Sequence, residues 1–180
     1  MEKVLVNNKL FEVFIKKEAI QERIAVLSKQ INTDYEGLNP LFLGILNGSF
    51  IFASDLFRGV SIAAEISFIK LASYKGTTSK GNVITAIGLE ENIAGRHVLI
   101  IEDIIDTGKT LHSFIPQLLS QQPASLKIVS FLSKPDAKQF DVVADYNGFD
   151  IPNNFVVGYG LDYDGYGRNF PDLYTLCTDQ

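Results

Sequence analysis

Three acidic side chains stand close together in the middle of the chain, directly after a run of apolar residues. The apolar run 98–101 suits a buried strand, and Glu102, Asp103 and Asp106 follow it. A polar turn comes next, made of Thr107, Gly108, Lys109 and Thr110. Such a turn presents backbone N–H groups and hydroxyls to a phosphate at the start of a helix, while the carboxylates can hold sugar hydroxyls or Mg²⁺. The pattern favours one loop that binds a phosphorylated sugar.

A simpler interpretation of the same residues is that Asp106 or Thr107 caps a helix without binding a ligand. Capping leaves the adjacent carboxylates Glu102 and Asp103 unexplained, because they repel each other unless a cation or hydroxyl-rich group joins them. The triplet at 108–110 is also not the end of a P-loop, since that motif requires glycine at position 103. A nucleoside triphosphatase is therefore not indicated.

Charge and composition exclude several classes of protein. Sixteen Lys and Arg residues against 21 Asp and Glu residues give a net charge of −5, so we expect no nucleic acid or membrane partner. The single cysteine, Cys177, cannot form an internal disulfide, and His97 and His112 lack the spacing of zinc ligands. The chain has no run of 18 apolar residues, and its first residues lack the pattern of a signal peptide, so we expect a cytoplasmic protein.

Apolar runs of strand length alternate with helical patterns along the chain. No repeat or linker interrupts them, which predicts one domain over residues 1–180. Strands are predicted over residues 4–6, 10–14, 41–46, 62–71, 83–87, 97–101 and 126–132. Helices are predicted over residues 50–57 and 110–120, and an earlier helix has one apolar face formed by Ile20, Ile24, Leu27 and Ile31.

This alternation predicts an α/β fold, with a twisted, mainly parallel sheet flanked by helices. Ligands of such sheets bind beyond the carboxyl ends of the strands, so the loops after Leu46 and Ile101 are the places to search. The polar segment 72–82 has no apolar anchor except Tyr74, and it is predicted to be either an exposed hairpin or an active-site lid.

Residues 98–110 resemble the phosphoribosyl pyrophosphate (PRPP) motif of type I phosphoribosyltransferases, in their hypoxanthine-guanine branch. Three further segments match the same branch in the same order: Leu46-Asn47-Gly48-Ser49, the segment around Ser73 and Tyr74, and the run from Phe155 to Tyr163 followed by Arg168. The resemblance extends from Pro40 to the end of the chain. It implies a core over about 36–140 and a small hood built from the N-terminal strands and about 141–180.

The resemblance assigns roles within the acidic segment. Asp106 matches the general acid/base that manages a proton of the purine imidazole as the glycosidic bond forms. Glu102 and Asp103 match the pair that contacts the ribose hydroxyls, and both are candidate ligands of Mg²⁺. Their charge would also favour the oxocarbenium-like ribosyl group of the transition state. The turn from Thr107 to Thr110 matches the phosphate-binding part of the motif.

The segment Leu46-Asn47-Gly48 matches the loop that binds pyrophosphate through backbone amides, often with a cis peptide after the leucine. Gly48 permits the close approach that this requires. Some family members carry lysine or arginine where Asn47 stands, so the loop contributes less charge here. Arg168 matches an arginine that contacts pyrophosphate.

The remaining matches concern the purine and the lid. Phe155 matches the aromatic residue that stacks on the purine, and Val156 matches the residue whose backbone contacts its edge. Asp162 matches a carboxylate that ligates a second Mg²⁺ beside pyrophosphate. Ser73 and Tyr74 match the lid pair that excludes water from the reaction centre. By composition alone, Phe155 also suits a core and Asp162 a turn.

One position departs from the family pattern. The family carries a lysine, followed by proline and aspartate, that donates to the 6-oxo group of the purine, and Val143 occupies its place. Losing this donor should cost about 1.5–3 kcal/mol, or ten- to hundredfold in affinity for a 6-oxopurine. Two hypotheses remain open: Lys138 replaces the missing lysine, or the local alignment is shifted.

The resemblance implies Mg²⁺-dependent purine salvage: PRPP and hypoxanthine, with guanine as a second base, give a nucleoside monophosphate and pyrophosphate. It also implies a homodimer or homotetramer. One alternative is a phosphoribosyltransferase with another base, motivated by Val143. A further alternative is a regulatory protein that senses PRPP.

Overall fold

The computed structural model describes residues 3–74, 83–88 and 91–177. Within these ranges, the elements in chain order are β1 (Lys3–Val6), β2 (Lys9–Ile15), α1 (Lys17–Asp34), β3 (Leu41–Leu46), α2 (Phe50–Arg58), β4 (Glu65–Tyr74), β5 (Val83–Ile87), β6 (His97–Ile105), α3 (Lys109–Leu119), β7 (Ser125–Ser133), β8 (Tyr146–Asp150), β9 (Val156–Val157) and β10 (Leu173–Leu176). A short 3₁₀ helix, Pro135–Ala137, follows β7.

The larger sheet has the strand order β5-β4-β3-β6-β7-β8. Five of these strands run parallel, and β5 pairs with β4 in the antiparallel sense. The apolar run of β3 is buried along its length because the sheet covers it on both sides and helices cover both faces. The predicted α/β sheet is confirmed.

Helices cover the two faces of this sheet. The predicted apolar face of α1, formed by Ile20, Ile24, Leu27 and Ile31, is buried in one core together with residues of α2. The buried residues of α3 pack into a second core on the opposite face. Both layers leave the carboxyl ends of the parallel strands free for a site. Within the described residues, no helix is both long and apolar enough to cross a lipid bilayer.

A smaller antiparallel sheet has the order β1-β2-β10-β9 and consists of strands from the two segments of the predicted hood, so we call it the hood. The predicted hood boundary near residue 141 needs correction, because β8 pairs in parallel with β7 and so belongs to the larger sheet. The strands predicted from the sequence end with residues 126–132, so β8 was not predicted. Gly148 lies in β8 where a β-carbon would be 2.2 Å from the Phe131 carbonyl oxygen, so glycine is required for this pairing.

Two strands, β6 and β4, end three or four residues later than predicted. β6 continues to Ile105, since its pairing with β7 extends to the Ile105–Ser133 pair, so Glu102 and Asp103 lie in a strand rather than in a loop. β4 continues to Tyr74, because its backbone pairs with β5 as far as Val83. The predicted lid residues Ser73 and Tyr74 therefore lie in this strand. Residues 75–82 of the predicted lid lie outside the described residues.

Candidate active site

Glu102 lies in the part of β6 beyond its pairing with β3. The residue is half-buried, but its Oε2 atom is shielded from solvent and has no hydrogen-bond partner. Burial raises the pKa of Glu102 well above its usual value, and the neighbouring charge of Asp103 raises it further. A shielded carboxylate oxygen that lacks a partner is suited to accept a hydrogen bond from a hydroxyl group or to bind a metal ion.

Asp103 connects β6 to the loop at residues 46–49. Its Oδ1 atom accepts a hydrogen bond from the Ile104 backbone N–H at 2.9 Å. Its Oδ2 atom lies against Gly48, where a β-carbon would be only 1.5 Å away. Only glycine can occupy position 48 while Asp103 holds this orientation, so the glycine brings the loop into direct contact with the acidic pair.

The loop at residues 46–49 joins β3 to α2. The peptide bond between Leu46 and Asn47 is cis, as the resemblance leads one to expect. Ser49 is fully buried, and its hydroxyl donates to the Ile45 carbonyl oxygen at 2.6 Å. The loop therefore lies against the end of β3, with its backbone beside Asp103.

The turn at residues 107–110 begins α3. Gly108 precedes the helix with a φ of 80°, a conformation that favours glycine. A β-carbon there would lie 3.3 Å from the Phe140 carbonyl oxygen. The N–H groups of the first helical turn have no partners within the helix and attract anions. Residues 104–111 and Glu102 line a cavity of about 110 Å³ at this point.

Asp106 lies between this cavity and a larger one. The second cavity, of about 290 Å³, is also lined by Asp106, and its other lining residues include Lys134, Lys138, Val143, Asn147 and Asp150. The Lys134 Nζ atom donates to Asp106 Oδ2 at 3.1 Å. The Lys134 side chain is only 8% exposed, so a buried cation stands beside the candidate acid/base.

Lys134 is not among the residues predicted from the sequence, although a signal for it is present there. Residues 134–136 read Lys-Pro-Asp, the triplet expected at position 143, nine residues earlier than the alignment places it. Lys134 follows the end of β7 directly. By contrast, Val143 is 66% exposed, and Lys138 pairs with Asp141 at 3.2 Å. The geometry favours the shifted alignment over replacement by Lys138.

In the hood, Phe155 precedes β9 and is 47% exposed. Its ring contacts those of Phe11 and Tyr163, with centroids 6.2 Å and 5.8 Å away. Phe155 is thus supported by aromatic neighbours while nearly half of it stays accessible. Val156 is buried, and its backbone pairs with Thr175 of β10.

Asp162 and Arg168 form an ion pair in the loop that follows β9. Arg168 Nη2 lies 2.6 Å from Asp162 Oδ1, and Arg168 Nη1 donates to the Gly160 carbonyl oxygen at 2.7 Å. Asp162 Oδ2 also accepts from the Gly165 N–H at 2.7 Å, so Asp162 stabilises a turn. The pyrophosphate role of Arg168 and the metal role of Asp162 stay predictions.

The carboxylates of the site suit a divalent cation that is shared with a ligand. Among residues 3–74, 83–88 and 91–177, no three His, Cys, Asp or Glu side chains form a metal-binding group. Mg²⁺ is commonly held by one or two carboxylates together with substrate phosphates and water. The unpartnered Oε2 of Glu102, with Asp103 beside it, fits such a shared site.

The chain is similar in sequence and in structure to known phosphoribosyltransferases. Residues 15–164 match the family described as the phosphoribosyl transferase domain. The chain is 42% identical over 166 residues to a hypoxanthine-guanine phosphoribosyltransferase of Lactococcus lactis, covering 92% of this chain and 90% of that protein. A crystal structure of a hypoxanthine phosphoribosyltransferase from Staphylococcus aureus is similar at a TM-score of 0.86 and 41% identity, covering 92% of this chain and 91% of that one.

Some relatives are much longer than this chain. It is 41% identical over 171 residues to the bifunctional protein TilS/HprT of Listeria monocytogenes, which covers 94% of this chain but only 26% of that protein. The chain thus spans about a quarter of the length of these relatives.

Proposed function

The chain belongs to the phosphoribosyltransferase family, and we propose that it catalyses purine salvage: transfer of the 5-phosphoribosyl group of PRPP to hypoxanthine, and to guanine, with release of pyrophosphate. The observation that carries this proposal is the position of Asp106, which lines both a cavity at the start of α3 and a cavity lined by Lys134. The cavity at the start of α3 suits a phosphate, and the cavity lined by Lys134 suits a polar ring. The bond between ribose and base would then form beside Asp106.

The 5′-phosphate of PRPP binds at residues 107–110, which line the smaller cavity at the start of α3, where helix N–H groups attract anions. The ribose hydroxyls lie at Glu102 and Asp103. The shielded, unpartnered oxygen of Glu102 supports this placement, because it lacks a donor that a ribose hydroxyl would supply.

Asp106 acts as the general acid/base at the purine imidazole. It is half-exposed toward the cavities, and Lys134 keeps it in place. Lys134 donates to the 6-oxo group, and this hydrogen bond is charge-assisted. The valine at position 143 was the reason to consider an enzyme that acts on another base, and this role for Lys134 removes that reason. Neither a phosphoribosyltransferase for another base nor a PRPP sensor is favoured.

The pyrophosphate group binds between the loop at residues 46–49, which we call the pyrophosphate loop, and the hood residues Arg168 and Asp162. Gly48 allows the loop backbone to approach the ligand and Asp103 together. Glu102 and Asp103 would hold one Mg²⁺ ion, and Asp162 would hold a second. Bound Mg²⁺ would neutralise charge on the departing pyrophosphate. Phe155 stacks on the purine, with the Val156 backbone at its edge, and Ser73 and Tyr74 belong to the lid.

The family resemblance is the basis for a proposal about the oligomeric state. We propose a homodimer or homotetramer, and light scattering of the purified protein tests it. A monomer at micromolar concentration would contradict it.

The reaction itself is tested by incubating the protein with PRPP, Mg²⁺ and single purine and pyrimidine bases, while pyrophosphate release is followed. Turnover of hypoxanthine and guanine, but not of pyrimidines, is the expected result. The absence of turnover with every 6-oxopurine would contradict the proposed function.

A further inference from the structure

The hood touches the pyrophosphate loop at a tight turn formed by Gly158, Tyr159 and Gly160. All three residues have positive φ angles, of 105°, 48° and 100°. A β-carbon on Gly160 would lie 2.2 Å from the Gly48 carbonyl oxygen. The two backbones are therefore in direct contact, which only a glycine at position 160 permits.

A buried tyrosine connects this turn to α2 through a hydrogen bond. Tyr159 is 5% exposed, and its hydroxyl donates to Asp55 Oδ2 at 2.7 Å. Burial raises the pKa of Tyr159, and the hydrogen bond to Asp55 raises it further, so the hydroxyl remains a donor at neutral pH. Because α2 begins at Phe50, directly after the pyrophosphate loop, this bond joins the hood to the helix that carries the loop.

The same turn holds the hood residues that face pyrophosphate in the proposed reaction. The Gly160 carbonyl accepts a hydrogen bond from Arg168, and Arg168 pairs with Asp162. A displacement of the turn relative to α2 would therefore move Arg168 and Asp162 away from Gly48. The two halves of the pyrophosphate site are held together by the contact at Gly160 and by the Tyr159 hydrogen bond.

We propose that Tyr159 is a positioning residue for pyrophosphate, because its hydrogen bond to Asp55 sets the separation between Gly48 and the Arg168–Asp162 pair. The inference rests on the proposed function. Its effect is selective, since PRPP and pyrophosphate contact both halves of this site, whereas a nucleoside monophosphate carries no pyrophosphate.

A second pair of the same chemistry provides a matched control. The Tyr146 hydroxyl donates to Asp34 Oδ2 at 2.8 Å. Tyr146 is buried and begins β8, so it lies at the amino end of a parallel strand, whereas the site lies at the carboxyl ends. Tyr146→Phe removes an equivalent hydrogen bond between a tyrosine of the sheet and a helix without touching the pyrophosphate site.

The test compares Tyr159→Phe with Tyr146→Phe. We expect similar losses of thermal stability in both variants, but only Tyr159→Phe should raise the KM for PRPP and the calorimetric Kd for Mg²⁺-pyrophosphate, by about five- to tenfold. The Kd for inosine monophosphate should not change. Asp55→Asn keeps an acceptor oxygen and should behave like the wild type, whereas Asp55→Ala should reproduce Tyr159→Phe.

Three results would overturn the inference: no change in pyrophosphate affinity in Tyr159→Phe, equal changes in both tyrosine variants, or an equal loss of affinity for inosine monophosphate. Failure of the proposed function looks different, because the wild-type protein would then not turn over hypoxanthine. The calorimetric Kd for pyrophosphate decides the role of Tyr159 in that case too.

Discussion

The Lys134 ammonium lies 3.1 Å from the Asp106 carboxylate, although the two residues are 28 positions apart in the sequence. Lys134 is buried and Asp106 is half-exposed, so the ion pair extends from the protein interior to the accessible cavities. A buried cation of this kind needs a partner, and Asp106 supplies it. The pair thus places a charged donor beside the proposed acid/base.

Replacing Lys134 tests the assignment of the purine donor. Lys134→Met should raise the KM for hypoxanthine by about ten- to hundredfold, because a charge-assisted hydrogen bond to the 6-oxo group is lost. Steady-state kinetics at saturating PRPP measure this change. Lys138→Met is the matched control, since Lys138 lines the same cavity but pairs with Asp141, and its KM should change by less than about threefold. Equal effects in the two variants would assign the donor role to neither lysine.

A lysine at position 143 provides a complementary test. In the wild-type background, Val143→Lys should bring no gain in hypoxanthine affinity, because Lys134 already occupies the donor position. The same variant should recover part of the affinity in a Lys134→Met background, since both positions line one cavity. A large gain in the wild-type background would show that the site lacks its donor.

Removing the acid/base should affect chemistry more than binding. Asp106→Asn keeps the shape and cannot exchange the purine proton, so kcat should fall by about 10²–10⁴-fold. The Kd for PRPP, measured by calorimetry, should stay within about threefold because the phosphate contacts at 107–110 are untouched. If kcat were unchanged, Asp106 would be a structural residue.

Glycine at position 48 should be essential to the pyrophosphate loop. Gly48→Ala would place a β-carbon 1.5 Å from Asp103 Oδ2, so the loop or the carboxylate must move. We expect loss of Mg²⁺-PRPP binding, measured by calorimetry, in a protein that still folds. Gly37→Ala is the control, because its β-carbon would meet no atom within 4 Å and only its φ of 75° is unfavourable. Retained PRPP binding in Gly48→Ala would exclude close packing as the role of this glycine.

Local patterns in the sequence predicted the elements that carry the site. Largely apolar runs indicated β3, β5 and the start of β6, and the structure has β3 and β5 with the predicted bounds. β8 could not be recognised in the same way, because Tyr-Asn-Gly-Phe-Asp has no apolar alternation and its glycine is explained only by the Phe131 backbone. The Tyr159–Asp55 bond joins residues 104 positions apart, so no local pattern could reveal it.

Buried tyrosines should make the fold sensitive to alkaline pH. An unfolded tyrosine loses its proton near pH 10, whereas burial raises the pKa of Tyr159 and of Tyr146 in the folded state. Their contribution to stability is complete below pH 10 and falls as the pH rises above it, by up to about 1.4 kcal/mol per pH unit for Tyr159.

Urea unfolding between pH 9 and about pH 11.5 measures this dependence. Tyr159→Phe should flatten the decline, whereas Tyr166→Phe should leave it unchanged, because Tyr166 is 64% exposed. A decline of the same slope in both variants would show that Tyr159 does not contribute to it.

The central claim is that the two cavities on either side of Asp106 hold the two ends of one nucleotide. A crystal structure with bound inosine monophosphate tests it most directly. We expect the 5′-phosphate at residues 107–110, the ribose hydroxyls at Glu102 and Asp103, and the 6-oxo group within hydrogen-bond distance of Lys134 Nζ. A purine whose 6-oxo group faces away from Lys134, or a phosphate bound away from the start of α3, would contradict the account.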